Sequence, residues 1–261
     1  MVGSLYKLLA KVLAICLTKV VGNLVSVFQH AFVAGRQILE VVVLIANEAI
    51  DSRVKANLRG VICKLAIEKA YDHVNWNFIL AMLEKMGFGF KWISWVRRCI
   101  ITARFSVLAN RSPSDFFQSS RGLRQDDPLS PYLFILVMET FSLILMKAKE
   151  GGFINGFQVR GREGEGVEIS HLLFADDTLI FCDARKEVLE YLSWILMWFE
   201  AMSGLKINLE KSEPIGEVLN LEDLVGALGC KEGFLPSTYL GLPLGAPFKS
   251  SRVLDGVEER F

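Results

Sequence analysis

The sequence predicts an α+β fold, an antiparallel sheet packed by helices, on three observations. Helical and strand-like stretches are mixed, with few regular strand–helix–strand repeats. Several strand-like runs are separated by short turn signals and read as hairpins. The 261 residues have 52% hydrophobic content, enough for a sizeable core in one large domain or two small ones. The chain has no low-complexity tract and no internal repeat.

Taken in order, residues 4–21 have helical periodicity, with Leu5, Leu8, Leu9, Val12, Leu13 and Cys16 on one face and Lys7 and Lys11 outside it. Residues 29–35 form a loop. Arg36 leads a second apolar helix over 38–50, and either meets a phosphate or is an ordinary surface arginine. Residues 61–67 make a buried strand and 68–72 a turn. Asn75 caps a helix over 76–86 that Gly87 ends. A third helix, 90–101, sends Trp92, Ile93, Trp95, Val96 and Cys99 to the core, with Arg97 and Arg98 outside.

Residues 104–109 and 116–119 form a hairpin around Asn110-Arg111-Ser112-Pro113. A polar loop, 121–129, then leads to a long helix capped by Ser130, with Pro131 at its first position, running to Lys149 and stopping at Gly151-Gly152. Its segment 133–146 is the most apolar of the chain, yet short and carrying Glu139. It is read as a core helix, and no transmembrane helix is expected. A hairpin around 161–166 follows. Residues 184–202 form an amphipathic helix ended by Gly204, 205–209 a strand, 221–228 a weaker helix and 239–245 a hairpin. The last residues are expected to fray.

Five cysteines, far apart and accompanied by three histidines, give no zinc pattern and read as free thiols of a reducing compartment. No sorting signal is seen, so an intracellular location, nucleus or cytoplasm, is expected. Net charge is zero, but residues 1–150 hold 19 Lys and Arg against 11 Asp and Glu, and residues 151–261 hold 10 against 18. A basic first part is suited to gripping a polyanion, and is equally what ordinary solvated charge looks like. No histidine accompanies a nucleophile motif, so a Ser/His or Cys/His hydrolase is not supported.

The chemistry centres on Phe174-Ala175-Asp176-Asp177. Strand-like runs, 169–173 and 178–182, flank this turn. Two adjacent carboxylates among apolar residues need a positive partner, and Mg²⁺ suits a site with few carboxylates plus substrate phosphates. An exposed Asp-Asp turn explains the same residues equally well from turn chemistry alone.

The wider pattern decides between them. Residues 29–36, 64–76, 122–134, 174–177, 204–212 and 239–245 together resemble, in order, six motifs of the reverse transcriptase domain of non-LTR (LINE-type) retrotransposons, most closely those of plants. The resemblance implies a polymerase right-hand palm with partial fingers: 1–60 fingers, 61–235 palm with finger elements inserted at about 76–120, and 236–261 the start of the palm–thumb connection, the thumb itself missing. It implies RNA-directed DNA synthesis by two-metal nucleotidyl transfer, with two Mg²⁺ ions, an RNA template, a DNA primer and deoxynucleoside triphosphates, and no membrane partner. By match, Asp176 and Asp177 are catalytic metal ligands. Tyr71 lies under the sugar, and Gln125 and Arg36 contact the nucleotide. Lys211 is a proton donor to pyrophosphate, and Leu240 and Gly241 lie near the primer end.

Two positions depart from the family. Ala66 stands where its first palm motif has a metal-bridging aspartate, and Asp126 where the second has glycine. A methyl group ligates no metal. Aspartate adds bulk and negative charge where glycine permits close backbone approach. Glu68, roughly 7 Å further along the strand, and Asp72 are the nearest substitutes. The expectation is a defective polymerase, the alternatives being a non-catalytic nucleic-acid-binding remnant or a weakly active polymerase using Glu68 or Asp72.

Overall fold

The computed structural model describes residues 2–36, 39–102, 104–113, 115–160, 166–215, 226 and 228–245. Helices α1 (Val2–Leu24) and α2 (Leu39–Lys55) lead to strand β1 (Gly60–Glu68), followed by α3 (Ala70–His73), α4 (Trp76–Lys85) and α5 (Phe90–Ile101). Four short strands come next: β2 (Arg104–Phe105), β3 (Leu108–Ala109), β4 (Ser112–Pro113) and β5 (Phe117–Gln118). Then come α6 (Ser130–Glu150), β6 (Phe157–Arg160), β7 (Gly166–Ile169), β8 (His171–Phe174), β9 (Asp177–Asp183) and α7 (Lys186–Ser203). The described chain closes with β10 (Lys206–Ile207), β11 (Glu213–Ile215), β12 (Ser237–Tyr239) and β13 (Leu242–Leu244).

β1 is the central strand. It pairs antiparallel with β9 from Gly60↔Asp183 to Ala66↔Asp177, and β9 turns back onto β8. Its other edge carries β10 and β11, both antiparallel. Alternation then divides the core. Val61, Cys63, Leu65 and Ile67 point into a large cluster with α1, α4, α5, α6 and α7, while Ile62 joins Leu172, Leu179 and Phe181 under α2 and the β12–β13 hairpin. Lys64, Ala66 and Glu68, on the Ile62 face, are only partly buried. The expected α+β class and central hairpin are both present.

Local chemistry explains most boundaries. The Asn75 side chain accepts from the N–H groups of Asn77 and Phe78 and starts α4. Gly204, at φ 76°, closes α7 in the left-handed cap. Asn110 and Arg111 both have positive φ, as a two-residue hairpin requires. The 133–146 stretch lies within α6, whose Leu133 to Met138 are fully buried. Among the described residues α6 is long and apolar enough to cross a membrane, and over half of that span is packed inside the protein.

Four expectations need correction. The face read for α1 is not the packed one: Leu8, Val12 and Cys16 are exposed, while Ala10, Leu13, Leu17 and Val21 are buried. Residues 68–72 are not simply a turn, because α3 begins at Ala70 after a left-handed Lys69. Trp95 is 48% exposed, on the outer flank of α5. Ser130 does not cap α6. It is the first helical residue, and the N-cap position, Leu129, makes no side-chain cap bond; in the turn just ahead, the Leu129 N–H donates to Asp127 Oδ1 at 2.9 Å. The turn at 161–165, most of the weaker helix at 221–228, and residues 246–261 of the expected thumb connection lie outside the described residues.

β8 is anchored by a buried polar chain. His171 Nε2 is 2.7 Å from Ser142 Oγ and Nδ1 is 2.9 Å from Ser170 Oγ. Ser26 Oγ lies 3.0 Å from Ser142 Oγ and donates to Glu139 Oε2 at 3.1 Å. Burial first, then the charge of Lys149, lowers His171 from 6.5 to about 3. The unfolded chain therefore takes up a proton below 6.5 that the folded one refuses until about 3, so stability is lost as pH falls through that window. The loss expected at pH 5 is about 2 kcal/mol. Urea unfolding at pH 7 and pH 5 measures it, and His171→Gln should lack this part of the pH dependence.

Candidate active site

The β8–β9 hairpin turns through Ala175, at φ 55°, and Asp176. Asp176 is exposed and Asp177 half-buried. Burial, then the charge of Asp176, raises the Asp177 carboxyl above the usual range, and Lys64 opposes the rise. Lys64 stands on the same face of β1 as Ala66 and pairs with Glu213 at 3.5 Å.

Ala66 faces Asp177 directly across the ladder. Its backbone is gripped from the opposite edge: its N–H donates to Ser212 Oγ at 3.2 Å, and its carbonyl accepts from the Asn208 N–H at 2.8 Å. Position 66 is therefore held in register by main-chain bonds, with only a methyl group presented to the acidic pair. Asn208 and Ser212 lie within a segment matched as a motif, but sequence reasoning gave them no role. Their function shows only when the loop between β10 and β11 is seen folding over β1.

Two aromatic residues flank the pair. Tyr71, on α3 just beyond β1, stacks on Phe134 with ring centroids 5.1 Å apart. Burial, then the Asp176 charge, raises its phenol. Tyr239 is almost fully buried and donates from its hydroxyl to the Asp177 carbonyl at 3.2 Å. Burial, followed by the charges of Asp177 and Asp176, pushes its phenol well above normal. This bond ties the Leu240-Gly241 turn, both residues left-handed, to the acidic hairpin.

The loop preceding α6 closes against α3. The Gly122 N–H donates to Val74 O at 2.8 Å, and the Leu123 N–H to Tyr71 O at 2.6 Å. Trp76 Nε1 donates to the Gly122 carbonyl at 2.6 Å. Gly122 has φ 92°, and a Cβ there would lie 2.6 Å from the Asp72 carbonyl oxygen, so this approach requires glycine. The loop lines a cavity of about 700 Å³ that includes Asp72, Trp76, Arg124 and Gln125. Asp126 is exposed with φ 63°, the left-handed region glycine occupies freely. Asp127 is buried and accepts from the Tyr6 hydroxyl.

The remaining sequence-picked residues lie elsewhere. Glu68 lies two residues beyond Ala66, the last residue paired with β9, and stands opposite Lys206 on β10. Arg36 spends its guanidinium on two backbone carbonyls, Ser26 at 2.6 Å and Gly22 at 3.3 Å. Lys211 is exposed in the 208–212 loop, its N–H donating to Asn208 at 3.1 Å. Among the described residues, no three His, Cys, Asp or Glu side chains converge as a metal would require. Neither Glu68 nor Asp72 completes the acidic pair. The residues present do not fit two metal ions, since one hairpin supplies both carboxylates and the facing strand supplies a methyl group.

The comparisons agree with this architecture. The family model described as reverse transcriptase (RNA-dependent DNA polymerase) matches residues 1–244. An uncharacterised mitochondrial protein of Arabidopsis thaliana is 48% identical over 71 residues, 27% of this chain and 56% of its own length. The transposon TX1 uncharacterised 149 kDa protein of Xenopus laevis is 27% identical over 90% of this chain and 16% of its own length. The Pol polyprotein of retrotransposable element R2 from Nasonia vitripennis is 30% identical over 66% of this chain, again 16% of that protein. The chain thus spans between about a sixth and just over half of these relatives. Among solved structures, telomerase from Candida albicans, in complex with a fragment of telomeric RNA, superposes with TM-score 0.58 at 12% identity, over 90% of this chain and 36% of that one. Apo telomerase from Candida tropicalis gives 0.57 at 15%, over 91% and 39%. At these identities the likeness to telomerase is one of fold.

Asp127 supports both α1 and the start of α6. Asp127→Ala removes the acceptor of both the Leu129 N–H and the Tyr6 hydroxyl, and should cost about 2–3 kcal/mol in urea unfolding. Tyr6→Phe, which removes one of the two bonds, should cost about 1–2 kcal/mol.

Proposed function

The chain belongs to the reverse transcriptase (RNA-dependent DNA polymerase) family, and from that premise we propose that it is a palm built for RNA-directed DNA synthesis whose catalysis is defective. One observation carries the proposal: Ala66 stands opposite Asp177 in the β1–β9 ladder. Two-metal nucleotidyl transfer needs carboxylates converging from separate chain segments to neutralise charge around the attacking and leaving oxygens. Here the second segment arrives in register without its carboxylate.

The substrate-facing surroundings support an inherited polymerase site. Tyr71 stacks on Phe134 at the edge of the acidic hairpin, where it would lie under the sugar of an incoming deoxynucleoside triphosphate. Gln125, exposed on the cavity loop, would contact that nucleotide. Leu240 and Gly241, tied in through Tyr239, would meet the primer end. Lys211, exposed beside the strand that carries Ala66, would serve the leaving pyrophosphate. Asp126 adds a negative charge on the same loop as Gln125, which disfavours a triphosphate. The proposed partners are an RNA template and a DNA primer.

Primer extension on an RNA template with Mg²⁺ or Mn²⁺ tests this reading. The double variant Ala66→Asp with Asp126→Gly should extend the primer at least about a hundredfold faster than the chain as it stands. It should also gain Mn²⁺ binding, read directly by titration. Equal extension by both proteins would show that Ala66 removes nothing essential.

A further inference from the structure

The outer face of α7 has the wrong polarity for solvent. Its first turn exposes Lys186 and Glu187, with Glu190 half-buried behind them, but from Trp194 onward the exposed positions are Trp194, Met197, Trp198, Ala201 and Met202. Trp194, Met197 and Trp198 are 52%, 55% and 59% exposed. Glu200, the acid nearest this stretch, is turned away and accepts from the Ile207 N–H at 2.6 Å. A helix face of this kind on a water-soluble surface is a docking face.

The patch extends sideways. Phe153 is half exposed and meets Tyr191 edge to face at 5.0 Å, and Tyr191 meets Trp194 at 5.6 Å. An apolar groove of about 360 Å³ runs between α6 and α7, with Ile144 and Ala148 on one side and Trp194 and Trp198 on the other. The charge at its rim is Lys147, already paired with Glu150. The uncovered apolar area is roughly 450 Å², taking about 150–250 Å² for each aromatic side chain. That is over half of the roughly 800 Å² each partner buries in a stable interface.

We propose that this face is a two-fold interface with a second copy of the chain, α7 packing antiparallel on its counterpart. The pattern of sizes along the helix argues for self-pairing over an unrelated partner. With the axis between positions 197 and 198, each position meets the one that completes a sum of 395. Trp194 then faces the partner copy's small position 201, and Met197 faces its tryptophan at 198. A large residue meets a small one and a thioether meets a ring, and both contacts occur twice. The charged first turns fall outside the contact. The inference is independent of the catalytic reading, because no residue of the acidic hairpin takes part.

Sedimentation equilibrium of the chain across the micromolar range, beside Trp198→Glu, tests it. The native chain should dimerise, and the variant should dissociate at least about thirtyfold more readily. Circular dichroism checks that its helices remain. A second arm uses a Cys16→Ser background, since Cys16 is exposed. There Met197→Cys should form a disulfide-linked dimer on mild oxidation, while Lys186→Cys, at the charged end, should not. A monomer at every concentration overturns the proposal, even if the face captures some other protein. So does a dimer indifferent to Trp198→Glu, or equal cross-linking at both positions.

Discussion

The antiparallel ladder between β1 and β9 is the constraint on which the rest of the structure depends. Seven consecutive Cα pairs, from Gly60↔Asp183 to Ala66↔Asp177, fix which residues share a face. A slip of one residue would turn Val61, Cys63, Leu65 and Ile67 away from the helical core and bring charged Lys64 and Glu68 into it. The hydrophobic cost of that exchange is large, so the register is set by burial rather than by the chemistry at the strand's end. The acidic pair is placed opposite position 66 as a consequence of core packing several residues away.

The bonds that converge on the site hold main-chain groups of positions 66 and 177. Ser212 and Asn208 hold the N–H and carbonyl of position 66, and Tyr239 holds the carbonyl of position 177. None of them requires a carboxylate at 66. Burial and Asp176 already raise the Asp177 carboxyl. A third acid facing it would add like-charge repulsion in a half-buried place. Replacing that acid with alanine leaves the scaffold intact and relieves the electrostatics. This is the usual opposition between stability and activity at a polar site.

Much of this was legible in the sequence because the informative residues act locally. Asn75 caps its own helix, Gly204 ends its own helix, and Phe174-Ala175-Asp176-Asp177 turns its own hairpin. What escaped depends on distant partners. Trp95 fitted the apolar periodicity of α5, but the packed stripe is narrower than the pattern and leaves it on the flank. Ser130 looked like a cap, yet the helix begins on it, and the side-chain bond falls just ahead, from the Leu129 N–H to Asp127, whose second oxygen is held by Tyr6. Arg36 was open between a phosphate contact and an ordinary arginine, and sequence could not show that its guanidinium donates to the carbonyls of Gly22, in the last turn of α1, and Ser26, just beyond it. β11 has only three residues, and what makes it a strand is the edge of β1 that it pairs with.

The two departures from the family pattern differ in kind but share a property. Ala66 removes a functional group without disturbing a single backbone bond. Asp126 occupies a left-handed conformation, φ 63°, that most side chains resist but aspartate tolerates comparatively well. Its side chain points into open surroundings, so it displaces nothing. Neither residue belongs to the buried clusters, and Ala66 keeps the backbone bonds of its strand. By contrast, a Cβ at Gly122 would run into the Asp72 carbonyl, and glycine remains there. The fold therefore discriminates among the positions of one loop: it enforces glycine at 122, where backbone packing requires it, and accepts an exposed side chain at 126. Backbone packing and side-chain chemistry are held by different atoms, so the fold by itself does not enforce a carboxylate at position 66.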